Sequence, residues 1–315
     1  MTAPMSLLAA DAVPGHRRLA GTMWMGLGRG RVRVVDRLPG GGWRRAEQGP
    51  AGPLLLEVRA TSDALQLQVW GHPETPPEAR EAALAATRRW AGLEDDLTGF
   101  ADLVAPHPTL RLLLRHLGPP VIGALPRAVE SFGRAVLGQL VQGLEAGRSA
   151  HQLVAMTGDA TPQGVWAWPT GASLGSTPAH RLRRCGIPLR SAGAMHRFAV
   201  DEAAFQRAAT AGDWVRLDAQ LRRLPGIGVW TAAETRLYLG DADAVSYGDY
   251  HLPHIVGWAI GERTDTDEAM AALLAPYSPH RGRVIRLLET AAHRGLVATR
   301  PRRAPRAALS AHRYW

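Results

Sequence analysis

The chain contains no lysine, so arginine supplies all 37 of its basic residues. This absence excludes enzymes whose nucleophile is a lysine amine that forms a Schiff base with the substrate. Cysteine is almost as scarce, because Cys185 stands alone. A single cysteine cannot form a disulfide within the chain, and it fits a reducing, cytoplasmic location. It also excludes an iron–sulfur cluster held by four cysteines of this chain.

Long apolar runs are missing as well. No stretch of 18 apolar residues occurs, so the sequence predicts no membrane-spanning helix and no membrane partner. The N-terminal stretch MTAPMSLLAADAVPGHRR lacks the basic start and long apolar core of a signal peptide. Among the 12 histidines, His251 and His254 have a spacing of i, i+3, but no third metal ligand accompanies them. This histidine pattern gives no support to a zinc site.

The chain is strongly basic, with a formal net charge of +9 and a pI of about 10.9. A charge of this sign favours an acidic partner, and DNA is the obvious candidate. A general bias towards alanine, arginine, glycine and proline would explain the charge equally well. With 315 residues the chain can bury a full core and hold two or three domains.

The periodicity of apolar residues predicts an α+β protein with a small antiparallel sheet followed by an all-helical core. Residues 31–35, 54–58 and 65–69 have the alternation or short apolar runs of strands. A helix is predicted over Pro76–Trp90, and the spacing of Phe132, Val136, Leu137, Leu140, Val141 and Leu144 indicates another. Further helices are predicted at Thr177–Cys185, Asp201–Thr210, Trp214–Arg223, Asp267–Leu274 and Gly282–His293.

The most informative segment is LPGIGVWTAAETRLYLGDADAVSYGD, residues 224–249. Gly226 and Gly228 can take a positive φ and let a backbone approach closely. The helix that follows presents unpaired N–H groups and the positive end of its dipole, which together bind an anion such as phosphate. Asp249 lies downstream, where its carboxylate can act on a sugar–base bond or cap a helix. The two roles are compatible.

These residues resemble the helix–hairpin–helix DNA glycosylases, and most of all the bacterial 3-methyladenine DNA glycosylase II branch. The resemblance is carried by Leu224–Gly228 with Trp230-Thr231-Ala232, by LGQLV at 137–141, and by LEDDL at 93–97 followed by Phe100. It covers residues 90–290 well and residues 1–90 loosely. It implies a sheet domain over 1–92, a helical glycosylase core over 93–299 with the hairpin at about 216–239, and a basic tail over 300–315.

The resemblance also assigns roles to single residues. Asp249 matches the catalytic aspartate, which stabilises an oxocarbenium-like sugar and orients water. The implied base pocket consists of Trp230, Glu234, Tyr250 and Tyr277. The implied DNA contacts are made by Gln139, Leu140, Leu224, Gly226, Ile227, Gly228 and Thr231. His251 is a further candidate for a DNA contact, although the related enzyme typically has an apolar residue there.

The family's strand-cleaving members carry a lysine two or three residues after the second hairpin glycine. This chain has Trp230 and Thr231 at those positions, so water is the expected nucleophile. The expected product is an abasic site in double-stranded DNA with both strands uncut. The enzyme is expected to be a monomer and to need no organic or redox cofactor. A structural cation on the carbonyls of Leu224 and Ile227 is a further implication of the resemblance.

Several assignments have alternatives. Leu140 is either the wedge that fills the gap left by a flipped base or a core residue of an amphipathic helix. Glu234 replaces a family aromatic; it either favours a cationic base over a neutral one, by charge or by a hydrogen bond, or lies on the surface beside Arg236 or another arginine. His251 contacts phosphate or packs. Asp241 and Asp243 are expected to be solvated turn residues.

The function itself has alternatives too. One is a glycosylase for another lesion, such as a bulky adduct or a deaminated base. The other is a non-catalytic protein that uses the hairpin only to hold DNA. Such a clamp needs neither Asp249 nor Trp230, so their presence together favours an enzyme.

Overall fold

The computed structural model describes residues 5–14, 33–139, 143–261, 263 and 265–298. The tail predicted for residues 300–315 lies outside this part of the chain, as does Leu140. An antiparallel sheet comes first along the chain and a set of helices follows, so the predicted α+β class is confirmed.

The sheet has five antiparallel strands in the spatial order β1-β5-β4-β3-β2. The strands are β1 (Ser6–Pro14), β2 (Val35–Arg37), β3 (Trp43–Glu47), β4 (Leu54–Ala60) and β5 (Ala64–Gly71). The predictions for β4 and β5 are confirmed, whereas β1 was not predicted. The prediction of a strand over 31–35 is wrong for Arg33 and Val34: Val34 packs in the helical core, and Arg33 bridges to Val165.

Helix α1 (Pro77–Ala91) joins the sheet to the rest of the protein. Proline at its start fixes φ, and Gly92 ends it in the left-handed conformation with φ of 79°. Its buried face packs on β4 and β5 and includes Trp90, which is 1% exposed. The prediction of a helix over Pro76–Trp90 is confirmed.

Thirteen further helices follow in the described part of the chain. The first six are α2 (Phe100–Val104), α3 (Pro108–Leu117), α4 (Ala128–Leu137), α5 (Gly143–Thr157), α6 (Gly171–Ser176) and α7 (Ala179–Arg184). The others are α8 (Leu189–Val200), α9 (Glu202–Thr210), α10 (Trp214–Arg222), α11 (Val229–Tyr238), α12 (Leu252–Ile260), α13 (Asp267–Leu274) and α14 (Arg281–His293). None of the described helices is both long and apolar enough to cross a membrane.

The helical spacing predicted from Phe132 to Leu144 does not form one helix. Helix α4 ends at Leu137, Gly138 and Gln139 form a turn, and α5 starts at Gly143. A Cβ atom placed on Gly138 would lie 3.2 Å from the Trp230 ring. The end of α4 is therefore fitted closely to α11.

The apolar cluster on the sheet reaches into the helical part of the protein. The cluster on the sheet extends to Trp90, Val121 and Leu125, with Tyr238 at the end of α11 packed against it. Buried charges add a second connection, because the guanidinium of Arg45 on β3 bonds the Glu130 carboxylate on α4. Neither side chain is exposed. The sheet thus fixes both α4 and α11, the two helices that meet at the site described next.

Candidate functional site

Helices α10 and α11 form a hairpin through the turn at residues 223–228. The Leu224 amide donates to Leu221 O at 3.0 Å, and the Ile227 amide donates to Leu224 O at 3.0 Å. Leu224 and Ile227 are buried in the helical core, whereas Pro225, Gly226 and Gly228 are exposed. The two apolar side chains hold the turn in place while its backbone faces outwards.

The two hairpin glycines differ in conformation. Gly226 has φ of +84°, the left-handed region that favours glycine. Gly228 caps α11 with φ of −97° and ψ of −174°, an extended conformation, so the expectation of a positive φ is wrong there. A Cβ atom added at either glycine meets nothing within 4 Å. Open space therefore lies in front of the turn and of the first, unpaired N–H groups of α11.

Gln139 ties the turn after α4 to this hairpin. Its side-chain amide Nε2 donates to Gly226 O at 3.1 Å and to Thr231 Oγ1 at 2.7 Å. The amide is therefore committed to shaping the hairpin. Thr231 is buried and takes part through its hydroxyl rather than through an exposed contact.

Asp249 lies in the loop between α11 and α12, held by three N–H donors. The Trp230 indole Nε1 donates to Oδ2 at 3.0 Å, and the amides of His251 and Leu252 donate to Oδ1 at 2.7 and 3.0 Å. The carboxylate thus binds the first amides of α12, as the predicted capping role requires, and it faces α11. The catalytic role of Asp249 stays a prediction. Trp230 has a role that the sequence did not reveal, since it orients Asp249.

Glu234 lies one turn along α11 from Trp230 and points to the same loop. Its Oε1 accepts the Ser246 hydroxyl at 2.5 Å. Glu234 is half-buried, and Arg236 pairs instead with Asp241 at 2.9 Å, so the interpretation as a surface residue beside Arg236 is wrong. The nearby arginine that acts on Glu234 is Arg286. Desolvation raises the pKa of Glu234, with Arg286 and Ser246 opposing the shift and the Asp249 charge adding to it.

Helix α14 contributes a pair that the sequence analysis missed. Arg286 Nη1 lies 2.8 Å from Glu289 Oε2. Desolvation also raises the pKa of Glu289, and Arg286 opposes this shift while Glu234 and Asp249 add to it. One guanidinium therefore faces three carboxylates. Burial raises the pKa of the neighbouring Tyr238 to about 12, so the phenol stays neutral at physiological pH.

Asp241 and Asp243 are not the solvated turn residues that the sequence suggested. Asp241 is 2% exposed and pairs with Arg236. Asp243 accepts two bonds from the Arg281 guanidinium, at 2.9 and 2.6 Å. Asp241 thus ties the loop to α11 and Asp243 ties it to α14, because buried or half-buried carboxylates need such partners.

The remaining predicted site residues are spread around this centre. Tyr250 is 73% exposed, and its ring meets those of His251 and His254 edge-on. His251 is exposed, as a phosphate contact requires. Tyr277 is buried in the apolar cluster around Phe100, so the structure gives it a core role. Leu140 cannot be placed, since it lies outside the described residues.

The carbonyls suggested for a structural cation are only partly available. Leu224 O already accepts the Ile227 amide, which leaves one lone pair for a metal ion. Gly226 O is likewise engaged by Gln139. Among the described residues, no cluster of three His, Cys, Asp or Glu side chains could hold a metal ion.

No protein-family model matches the sequence, and no curated protein is similar enough to count as a relative. Solved structures do match. The chain resembles a 3-methyladenine DNA glycosylase from Archaeoglobus fulgidus with a TM-score of 0.68 and 17% identity, over 81% of this chain and 88% of the other. It resembles MBOgg1, solved with a low-affinity DNA ligand, with a TM-score of 0.68 and 13% identity over 93% and 100%.

A third similar structure is an 8-oxoguanine glycosylase/lyase from Clostridium acetobutylicum. Its TM-score is 0.63 at 11% identity, over 82% of this chain and 89% of the other. Each of the three similarities covers more than four fifths of this chain. The chain therefore has the fold of the helix–hairpin–helix DNA glycosylases.

Proposed function

We propose that this protein is a DNA glycosylase that hydrolyses the bond between a damaged purine and its deoxyribose. The observation that carries the proposal is the Asp249 carboxylate, oriented by the Trp230 indole and two backbone amides beside an open hairpin. A bare DNA clamp needs no carboxylate at that place. The similarity to solved glycosylases, which is a likeness of fold, supports the same reading.

DNA would bind through its phosphates at the hairpin. The unpaired amides at the start of α11 and the space in front of Gly226 and Gly228 suit a phosphate group. Such contacts set the position of the strand without reading its sequence. The target nucleotide then leaves the stack, at a cost of a few kcal/mol, and its sugar reaches Asp249.

Cleavage of the sugar–base bond leaves positive charge on the deoxyribose. The electrons of the bond go to the base, and Asp249 faces the developing cation with a negative charge already fixed in direction. Water then adds to the sugar carbon, and the carboxylate is placed to orient it. Because no lysine exists in the chain, no lysine amine can take the place of water.

Alkylated purines are the substrate class that this site suits best. A purine methylated at a ring nitrogen carries positive charge and stacks well on an electron-rich indole, which Trp230 supplies. Such a base leaves the sugar without first gaining a proton. The likeness in fold to a 3-methyladenine DNA glycosylase from Archaeoglobus fulgidus agrees with this choice.

Base release from methylated DNA, with the products identified by chromatography, tests the proposal. We expect free 7-methylguanine or 3-methyladenine from the native protein, and a loss of about 10²–10³-fold in Asp249→Asn, which keeps the shape but not the charge. DNA binding and the thermal midpoint should stay near native in this variant. Release at a near-native rate by Asp249→Asn would place the chemistry elsewhere.

Borohydride treatment separates hydrolysis from lyase chemistry. We expect no covalent protein–DNA adduct, and strand breaks only after alkali or a separate lyase is added, because the chain has no lysine to form an imine. A known glycosylase/lyase under the same conditions serves as the positive control. A trapped adduct would show that the enzyme uses another amine, and the hydrolytic assignment would fall.

A further inference from the structure

We propose that Glu234 is a second catalytic residue, a proton donor to the leaving base, which extends the substrate range to neutral damaged purines. The inference rests on the proposed function. It starts from the arrangement of α11, where Trp230 and Glu234 follow one another on the same face. Residues at i and i+4 of a helix are neighbours, so the carboxyl lies one turn beyond the ring expected to stack on the base.

The hydrogen bonds of Glu234 suit an acid that gives up a proton. Oε1 accepts the hydroxyl of Ser246, a residue only 2% exposed. Within the described part of the chain, no hydrogen bond is made by Oε2. The fixed oxygen sets the plane of the carboxyl group, and the other oxygen is left to carry a proton and present it.

The charges around Glu234 favour a protonated form. Asp249 from the loop and Glu289 from α14 are carboxylates, and Arg286 from α14 is a cation that acts on both Glu234 and Glu289. Tyr238 from α11 is neutral, and Arg134 from α4 acts on it together with Arg286. Three carboxylates that share one guanidinium cannot all ionise without repulsion. The Asp249 carboxylate accepts three N–H donors, whereas that of Glu234 accepts one hydroxyl, so hydrogen bonds stabilise the charged form of Glu234 less well. Pairs of carboxyls in such unlike surroundings divide into an acid and an anion.

Release of the base needs no reactant other than water, and its atoms and charges balance. As the sugar–base bond breaks, its electron pair moves onto the purine, and a ring nitrogen takes the proton from Glu234. The base leaves neutral, Glu234 becomes a carboxylate beside Arg286, and water supplies the oxygen that adds to the sugar. One proton from that water restores Glu234 or passes to solvent. A purine such as hypoxanthine needs this proton, whereas 7-methylguanine already carries its positive charge.

The closing experiment compares release of hypoxanthine and 7-methylguanine by native protein and by Glu234→Gln. General acids contribute typically 10²–10⁴-fold. We expect hypoxanthine release to fall about 100-fold or more in the variant, while 7-methylguanine release changes by less than about threefold, so the ratio of 7-methylguanine to hypoxanthine rises. Native hypoxanthine release should also decline as pH rises and Glu234 loses its proton, and Glu234→Gln should lose this decline.

Glu289→Gln is the matched control, because it removes a carboxylate of the same cluster from α14. At low pH, where Glu234 keeps its proton, it should leave the ratio of the two release rates near native. Loss of the neighbouring negative charge lowers the pKa of Glu234, so the decline of hypoxanthine release should move to lower pH in this variant. If Glu234 acts instead through negative charge, the ratio falls in Glu234→Gln, and an unchanged ratio means that it does not act on the base at all. Both results overturn the proposal. Failure of the native protein to release 7-methylguanine is a separate result, which refutes the proposed function.

Discussion

Arg283 and Arg286 lie one turn apart on α14, yet their surroundings are opposite. Arg283 is fully buried and its guanidinium bonds both oxygens of Asp95 at 2.6 Å, with further bonds to the carbonyls of Asp96 and Pro120. Arg286 pairs with Glu289, while its Nε is buried without a hydrogen-bond partner and three carboxylates act on it. The positive charge of Arg283 is balanced by one carboxylate, whereas three carboxylates act on the positive charge of Arg286.

This difference separates a fully hydrogen-bonded structural ion pair from an ion pair at the proposed active site. A buried pair with complete hydrogen bonding holds two elements together, here α14 and the segment that leads into the helical core. An excess of carboxylates around one cation lowers the stability of the fold and raises the pKa of the surplus carboxyl groups. An enzyme can use a carboxyl group with a raised pKa as an acid. One turn of α14 thus stabilises the fold through Arg283, and the next turn places Arg286 at the proposed active site.

Breaking the structural pair should have the largest effect on stability. Removing one partner of a buried pair costs about 3–5 kcal/mol, since the other charge is left buried. We expect Arg283→Met to lower the thermal midpoint by roughly 10 °C. Calorimetry or circular dichroism measures this, and base release per folded molecule should stay near native.

The control for this prediction is the double variant with Asp95→Leu. Replacing both charges by apolar side chains removes the unpaired charge, so much of the lost stability should return. A single variant that melts like the native protein would show that the pair contributes nothing to the fold.

Arg286→Met should affect proton affinity more than stability. The positive charge of Arg286 lowers the pKa of Glu234 and of Glu289, so its loss raises both. Glu234 then keeps its proton to higher pH, and the alkaline decline of hypoxanthine release should move to higher pH. Rate against pH measures the shift, and 7-methylguanine release is the reference. A decline that stays in place would mean that Arg286 does not act on the acid.

The hairpin glycines allow the smallest and most selective test. Leucine at Gly226 or at Gly228 should fill the open space in front of α11 and weaken binding to all DNA sequences about equally. Only Gly226→Leu should also lose stability, by about 1 kcal/mol, because only Gly226 has a positive φ. Fluorescence anisotropy with unrelated duplexes measures the first effect and thermal melting the second. Loss confined to one DNA sequence would argue against a phosphate contact.

The local parts of the site were predictable from the sequence, and the contrast between the two arginines was not. Strands β4 and β5 follow from alternation, and the hairpin follows from Gly226 and its neighbours, because a turn is determined by nearby residues. Arg283 and Arg286 occupy equivalent places in the α14 sequence. Their difference arises from distant segments, one carrying Asp95 and the other Asp249. The local sequence around a buried charged residue does not predict which distant residue will pair with it.

Other errors have the same origin. Asp241 and Asp243 sit in a sequence typical of a solvated turn, but α14 reaches this loop and buries it. Gly282 allows the approach, since a Cβ atom there would lie 2.6 Å from Ala244 O. Tyr277 matched a pocket position by its place in the sequence, yet its ring is part of the core. Strand β1 was missed because its mixed apolar and polar residues become a strand only by pairing with β5.

Successive turns of helix α11 contact different parts of the protein. Its first turn faces the open space of the hairpin, its second carries Glu234, and its last residue, Tyr238, accepts the Leu125 amide at 2.7 Å and packs against the sheet core. Because Tyr238 anchors the C-terminal end of α11 to the sheet core, we expect that residue 234 can be substituted without displacing the N-terminal end at the hairpin. If the proposed function holds, substitutions at this one codon should change which damaged base is released and leave DNA binding at the hairpin unchanged.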